Sequence, residues 1–216
     1  MADDNSDDTS DDDIPRPQRG RLTFDAEGRE GGRYHSRHFH VPSDASGLTI
    51  GRGYDMKLRS KSHIRDDLVA AGVAPGDAAL ISQAAGMKGE QAEEFIEENE
   101  LEAFEITPEQ QVALFDIEYA RQEADTRRLA TKADVTRVYG ATDWDALDTT
   151  ISEVLVDLRF RGDYTPTTRR FLQVRVAANE LAAFAGEIGD ADNWPNVPGD
   201  RFRRRKDFCD AALAEA

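Results

Sequence analysis

The stretch that decides how the first third of the chain folds is Ser46-Gly47-Leu48-Thr49-Ile50-Gly51-Arg52-Gly53-Tyr54-Asp55. On a fully extended strand Thr49 and Asp55 would be ~20 Å apart, too far for their side chains to act together. Glycine adopts the backbone angles of a sharp turn without steric cost, so Gly51 and Gly53 allow the chain to reverse. We therefore expect a turn that brings Thr49 and Asp55 close to each other.

The sequence around this stretch changes character after Met56. Residues 22–56 are rich in glycine, aromatic and β-branched residues broken by turn signals, a pattern that predicts short strands and loops. From Lys57 onward the apolar residues follow helical periods, with breaks at 72–75, 86–89 and Gly140. These patterns predict an α+β fold, in which a small antiparallel sheet lies beside a larger, mostly helical body.

Three helices have clear sequence signals. The first begins at Thr107-Pro108-Glu109-Gln110, which offers a capping hydroxyl, a proline at the first helical position and a glutamine three residues after the cap. The third begins at Thr165-Pro166. The expected buried stripes of the three helices are Val112, Phe115 and Tyr119; then Trp144, Leu147, Ile151, Val154 and Leu158; then Phe171, Val174, Ala178 and Leu181.

Length and charge limit the domain organisation and the partners. The chain has 216 residues, enough for one folded domain, which we place at 21–216 after an acidic tail and linker at 1–20. Residues 1–13 hold seven aspartates, so we expect this tail to be disordered. The net charge of -16 argues against nucleic acid as a partner, and we expect neither a membrane span nor a signal peptide. The single cysteine, Cys209, excludes an intramolecular disulfide, and we expect a monomer.

Several short motifs between residues 21 and 213 resemble motifs of a known protein family. Glu27-Gly28 is followed downstream by Thr49-Ile50-Gly51-Arg52-Gly53, and this order resembles the Glu-Gly and Thr-Ile-Gly-x-Gly motifs of the pesticin-like muramidases. These are relatives of the bacteriophage-type lysozymes. Thr165-Pro166 before Arg169-Arg170 is similar to a helix start of the phage-type enzymes, and 203–205 to their C-terminal arginine helix. The matches together span residues 21 to 213.

The resemblance implies a lysozyme-like fold and an N-acetylmuramidase that cleaves the β-1,4 bond between N-acetylmuramic acid and N-acetylglucosamine in bacterial peptidoglycan. Such a hydrolase uses one protonated carboxyl group as general acid and a second carboxylate on the opposite side of the sugar. The implied acid is Glu27, the second carboxylate is Asp55, and Thr49 would position the attacking water. The residues expected to contact substrate are Gly51, Gly53, Tyr54, Arg159 and Arg161.

The acid and the base each have an alternative. Burial among Phe24, Tyr34 and Phe39 would help to keep Glu27 protonated, because a low-dielectric site disfavours the charged form. Glu30 is also followed by a glycine and is the alternative acid, whereas Asp44 is the alternative to Asp55. A separation of ~6.5 to 9.5 Å between the two carboxyl groups would indicate an inverting reaction, and ~5 Å a retaining one.

Two further clusters have structural interpretations that we prefer. His35, His38 and His40 are close in sequence and could suggest a metal site, but the proposed chemistry needs no metal. We expect no metal and no cofactor, and we interpret these histidines as sheet residues that line the substrate groove. Residues 201–206 are interpreted as the solvated face of a terminal helix, and Cys209 as a small buried filler.

The expected setting is the bacterial cell wall, reached by secretion or delivery, where the enzyme would be bacteriolytic. The sequence does not separate a toxin, which would have an immunity protein as a partner, from a phage lysin. Two other functions remain open on the sequence: a lysozyme-like domain that binds glycan without cutting it, and a glycosidase that acts on chitin-like polymers.

Overall fold

The computed structural model describes residues 15–31 and 35–215, and within them helices dominate. The helices are α1 Arg21–Ala26, α2 Lys61–Ala70, α3 Pro75–Ile81, α4 Glu90–Glu98, α5 Pro108–Thr131, α6 Ala133–Tyr139, α7 Thr149–Arg161, α8 Arg169–Ala178, α9 Leu181–Gly189 and α10 Gly199–Glu215. The strands are β1 Thr49–Ile50 and β2 Tyr54–Asp55, and short 3₁₀ turns occupy Ser82–Ala84 and Ala191–Asn193. This is the predicted α+β class, with a small two-stranded antiparallel sheet and a mostly helical remainder.

The described chain forms two compact units. The first contains residues 15–17 and 27–115, and the second contains 18–26 and 116–215. The predicted acidic tail falls largely on residues 1–14, which lie outside the described part of the chain. Pro17 and Gly20 are already buried, so the packed chain includes residues that we assigned to the linker.

The first unit is built around the hairpin of β1 and β2. Thr49 pairs with Asp55 and Ile50 pairs with Tyr54, and the turn between them uses positive φ angles at Gly51 (64°) and Gly53 (86°). The expected reversal of the chain is therefore present. Its apolar residues are buried together with those of α2 to α5: Leu48, Ile50, Tyr54, Met56, Ile64, Leu68, Ile81, Phe95, Ile106 and Leu114.

The prediction of only strands and loops for residues 22–56 is wrong at its start, where Arg21–Ala26 forms a helix. The first turn is closed by the Phe24 amide, which donates to the carbonyl oxygen of Gly20 at 2.9 Å. Leu22, Thr23 and Phe24 are all buried, and α1 packs against α7. Tertiary packing thus overrides the strand preference of the β-branched and aromatic residues.

In the second unit, helices α7 to α10 surround a common core. Its buried members are Leu22, Ile151, Val154, Leu155, Leu158, Tyr164, Leu172, Val176, Phe184, Ala185, Ile188, Trp194 and Cys209. Cys209 is 1% exposed, as expected of a buried filler, and burial raises the pKa of its thiol to about 12. The thiol therefore stays protonated and is unreactive at neutral pH.

The three helix signals lead to different outcomes. At α5 the capping box forms as predicted, because the Gln110 amide donates to Thr107 Oγ1 (3.2 Å) and the Thr107 amide donates to Gln110 Oε1 (2.9 Å). Helix α7 begins only after Asp148, whose carboxylate accepts from the amides of Thr150 and Ile151. Trp144 and Leu147 therefore precede this helix, although both pack against the core.

The third predicted stripe is confirmed only in part. Helix α8 begins at Arg169, after a turn in which Thr165 and Thr168 each accept a hydrogen bond from the other's amide. Val174 was expected to be buried but is 45% exposed, whereas Leu172 and Val176 are buried. Phe171 and Leu181 pack against the core as expected, but Leu181 belongs to α9, because α8 ends at Ala178.

The interpretation of residues 201–206 as a solvated face is wrong for two arginines. Arg201 and Arg205 are 7% and 2% exposed, and both donate to the carboxylate of Asp157, which is fully buried. Arg205 also donates to Asp163 at 2.8 Å. A buried charge is tolerated when it is paired and hydrogen-bonded, and this network joins α7 to α10.

None of the described helices is both long enough and apolar enough to cross a membrane.

Candidate functional site

The hairpin brings two of the predicted site residues together. Thr49 and Asp55 are direct cross-strand partners, so their side chains project from the same face of the sheet. Gly47 connects them: its carbonyl oxygen accepts from Thr49 Oγ1 at 3.1 Å, and its amide donates to Asp55 Oδ2 at 3.2 Å. His40 extends the arrangement, because its backbone pairs with that of Thr49 on the other side.

The carboxylate of Asp55 has a fixed orientation. While Gly47 donates to Oδ2, the Lys57 amide donates to Oδ1 at 2.7 Å, so each carboxylate oxygen accepts one backbone hydrogen bond. A Cβ atom on Gly47 would lie 2.5 Å from Asp55 Oδ1 and 2.7 Å from the Lys57 amide nitrogen. Glycine is required at this position, which the sequence analysis did not single out.

Tyr54 and the two turn glycines support the hairpin. The Tyr54 side chain is 1% exposed, and its hydroxyl donates to Asp67 Oδ2 at 2.6 Å. The Arg59 guanidinium lies over its ring, 4.2 Å from the centroid. Because the ring is almost completely buried, it offers no exposed surface to a sugar. Tyr54 therefore supports the hairpin and does not make the predicted contact with substrate. Gly51 and Gly53 act through the turn that they form.

Glu27 is half-buried and directly follows α1 in sequence. Its neighbour Gly28 packs against the hairpin turn, because the carbonyl oxygen of Gly28 accepts a hydrogen bond from Arg52 Nη1. A Cβ on Gly28 would lie 2.8 Å from Arg52 Cδ and 2.9 Å from Ser36 Cβ. The Glu-Gly pair thus has a physical reason for its glycine, and it contacts the turn between Thr49 and Asp55.

Glu30, the alternative acid, belongs to a buried ion-pair network. Its carboxylate is 6% exposed and accepts from Arg37 (2.8 Å), Arg52 (3.1 Å) and Gln111 (2.7 Å). Burial raises the pKa of this carboxyl, but the hydrogen bonds from Arg37, Gln111 and Arg52 outweigh it and lower the pKa overall. A carboxylate held ionised in this way is a poor proton donor.

Other predicted residues lie elsewhere. Asp44, the alternative base, is exposed in a turn between residues 43 and 46. Arg159 and Arg161 lie in the second unit, where Arg159 Nε donates to Asp125 at 2.7 Å and Arg161 Nη1 donates to Asp163 at 2.6 Å. Their predicted contact with substrate stays a prediction. Of the aromatic residues expected around Glu27, Tyr34 lies outside the described residues, and Phe39 stacks on Phe104 at 5.2 Å.

A second polar cluster involves the histidines. His35 and His38 meet Glu105, and one ligand atom from each lies within 4.8 Å of the others. His35 Nε2 is 3.2 Å from Glu105 Oε1, and His38 Nε2 is 3.6 Å from Oε2. The hydrogen bond from His35 and the charge of Arg37 lower the pKa of Glu105. His40 is not part of this cluster, since its Nδ1 contacts the His38 carbonyl oxygen at 3.1 Å.

Sequence reasoning grouped the three histidines by spacing and missed Glu105. That residue lies about seventy positions away from His35, and it reaches the cluster through an isolated antiparallel bridge between His38 and Glu105. No local pattern around Glu105 indicates this contact.

The fold and the candidate site define a mostly helical α+β protein with a polar hairpin site in its first unit. The chain belongs to the family described as a domain of unknown function (DUF8812), whose family profile matches residues 20–206. No curated protein matches the chain.

Proposed function

We propose that this protein is a lysozyme-like N-acetylmuramidase that hydrolyses bacterial peptidoglycan. Glu27 acts as the general acid, Asp55 as the second carboxylate, and Thr49 as the residue that positions water. The observation that carries the proposal is the cross-strand pairing of Thr49 with Asp55, with the Glu27-Gly28 pair packed against the same hairpin turn.

The hydrogen bonds of the hairpin suit these roles. Asp55 accepts hydrogen bonds from two backbone amides, which can only donate. Its carboxylate therefore acts as a hydrogen-bond acceptor in this site, as a general base must. The Thr49 hydroxyl donates to the Gly47 carbonyl, which leaves its oxygen able to accept a hydrogen bond from water. A water held between Thr49 and Asp55 would be oriented by one residue and activated by the other.

The assignment of the acid to Glu27 is supported by the state of its competitor. The Glu30 carboxylate accepts three hydrogen bonds, from Arg37, Arg52 and Gln111, and these stabilise its charged form. Glu27 is half-buried. In the cell-wall setting, the enzyme would be secreted or delivered to peptidoglycan and would lyse the bacterium.

The test is digestion of purified sacculi with mass spectrometry of the soluble products. Wild-type protein should generate new reducing muramic acid ends, and Glu27→Gln and Asp55→Asn should each lower the rate at least about 100-fold, because each removes a group that acts on the reacting atoms. The matched controls are Glu102→Gln and Asp44→Asn, which change exposed carboxylates of the same unit and should retain full activity.

The other outcomes are equally informative. Reducing glucosamine ends would reject the muramidase, and sacculus binding without products would favour a glycan-binding domain. Cleavage of chitin in preference to sacculi would change the substrate. Full activity in Asp55→Asn with loss in Asp44→Asn would move the second carboxylate to Asp44. The anomer released by the wild type would separate inversion from retention.

A further inference from the structure

The cluster of His35, His38 and Glu105 lies in the first unit and plays no part in the proposed hydrolysis. Its side chains are two imidazoles and one carboxylate, a donor set typical of zinc and other divalent transition ions. Two of the three residues are half-buried, and the third is at the surface, so the cluster is accessible from solvent.

The distances between donor atoms suit one ion. In a tetrahedral site with bonds of ~2.0 to 2.1 Å, neighbouring ligand atoms are ~3.3 Å apart. In the structure one ligand atom from each of the three residues lies within 4.8 Å of the others, and His38 Nε2 is 3.6 Å from Glu105 Oε2. An ion can therefore be accommodated with small side-chain movements.

His38 is already oriented as a metal ligand. Its Nδ1 lies 3.1 Å from the carbonyl oxygen of Phe104, which has only lone pairs, so Nδ1 carries the proton in this contact. Nε2 is then the ring nitrogen that faces the Glu105 carboxylate, 3.6 Å from Oε2. A hydrogen bond from the second ring nitrogen to a carbonyl is also the usual support of a metal-bound histidine.

His35 requires one rearrangement. Its Nδ1 lies 2.6 Å from the Gly31 amide, which must donate, so its Nε2 carries the proton and donates to Glu105. Metal binding at Nε2 transfers this proton to Nδ1, where the Glu30 carboxylate, 3.6 Å away, is the available acceptor. The hydrogen bond from the exposed Gly31 amide to Nδ1 would then be broken.

Arg37 is compatible with this arrangement. It pairs with Glu105 through Oε1, whereas Oε2 faces His38. The metal can take Oε2 while the guanidinium keeps the other oxygen and fixes the carboxylate.

We infer that His35, His38 and Glu105 form a binding site for a divalent transition metal ion of the zinc class, which would join residues 35–38 to the loop before α5. The site differs from the histidine-only set suggested by sequence spacing, because Glu105 takes the place of His40. The structural role of such an ion is to increase stability through binding to the folded state alone.

The test uses the full-length protein after treatment with a chelator, titrated with Zn²⁺ by calorimetry. We expect one equivalent to bind, and a zinc concentration a hundredfold above Kd should raise Tm by about 5 to 10 °C. His38→Ala and Glu105→Gln should each weaken binding by at least about 100-fold, more than the loss of a supporting group typically causes. The matched controls are His40→Ala and His63→Ala, which should bind zinc as the wild type does.

Glu105→Gln preserves side-chain volume at an exposed position, and circular dichroism checks that each variant is folded. Co²⁺ provides a measurement that needs no variant, since a tetrahedral nitrogen and oxygen site gives intense visible absorption that an octahedral hydrated ion lacks. Absence of zinc binding, binding that survives both ligand substitutions, or binding that is lost in His40→Ala or His63→Ala would each overturn the inference. These readouts do not depend on hydrolytic activity, so the metal site and the muramidase can fail separately.

Discussion

The buried carboxylate of Asp157 offers the sharpest test of the energetics of the second unit. Its Oδ1 accepts from Arg201 Nη2 at 2.6 Å, and its Oδ2 accepts from Arg205 Nε at 2.6 Å and from Arg201 Nε at 3.2 Å. The side chains of Asp157, Arg201 and Arg205 are 0%, 8% and 2% exposed. Water therefore cannot replace the carboxylate if it is neutralised.

Asp157→Asn keeps the shape and removes the charge. The amide nitrogen of asparagine donates, so it would face a guanidinium N–H that also donates, and two buried cations would lose their shared anion. Removing one partner of a buried ion pair costs about 3 to 5 kcal/mol in the free energy of unfolding. For a chain of this length that corresponds to a fall in Tm of about 6 to 20 °C.

Asp145→Asn is the matched control. Asp145 also pairs through both oxygens with one arginine, Arg127, at 2.8 and 2.7 Å, but its side chain is 74% exposed. An exposed pair contributes about 0 to 1 kcal/mol, because water solvates the remaining partner. Urea unfolding followed by circular dichroism measures both variants under the same conditions.

The difference in unfolding free energy between the two substitutions tests whether burial controls the strength of these ion pairs. If Asp157→Asn costs less than about 1 kcal/mol, or no more than Asp145→Asn, burial does not control the strength of these ion pairs. A changed slope of the unfolding curve would instead indicate that unfolding is no longer two-state or exposes a different amount of surface.

Two predictions concern the first unit. Gly47→Ala should destabilise the fold by about 1 to 3 kcal/mol and lower sacculus digestion, because its Cβ would displace Asp55. The control Gly76→Ala, whose Cβ would have no atom within 4 Å, should be neutral in melting and digestion assays. An active, stable Gly47→Ala would contradict the hairpin geometry. Glu30 has a pKa below its ordinary value of 4.5 in the folded state, so its stabilisation is complete above that pH and is lost as the pH falls through the lowered pKa. Unfolding of the wild type at a series of acid pH values should therefore show a steeper loss than Glu30→Gln, and identical slopes would reject the ion-pair network.

Several features of the fold followed from local sequence. The capping box at Thr107 and Gln110 involves residues three positions apart, and the hairpin turn depends on Gly51 and Gly53. In each case the interacting groups are neighbours in the chain, so the pattern contains the contact. The same holds for the helix breaks around Gly72 and Gly140, where φ is positive.

Features that depend on distant partners could not be obtained in this way. Residues 21–26 become helical because they pack on α7, and Glu105 meets His35 only through the folded backbone. In the sequence, Arg201 and Arg205 belong to a basic run that predicts a solvated helix face. Their common partner, Asp157, lies more than forty residues earlier, so the local pattern does not indicate that they are buried.

The sequence by itself determined the α+β class, the reversal of the chain at Gly51 and Gly53, and the proximity of Thr49 and Asp55 that follows from it. Tertiary structure alone decided which carboxylates and guanidinium groups are buried, and hence that Glu30 and Asp157 are held in ion-pair networks. The physical reason is range: backbone turns and caps are made by adjacent residues, whereas burial of a charge depends on partners that only the folded chain assembles.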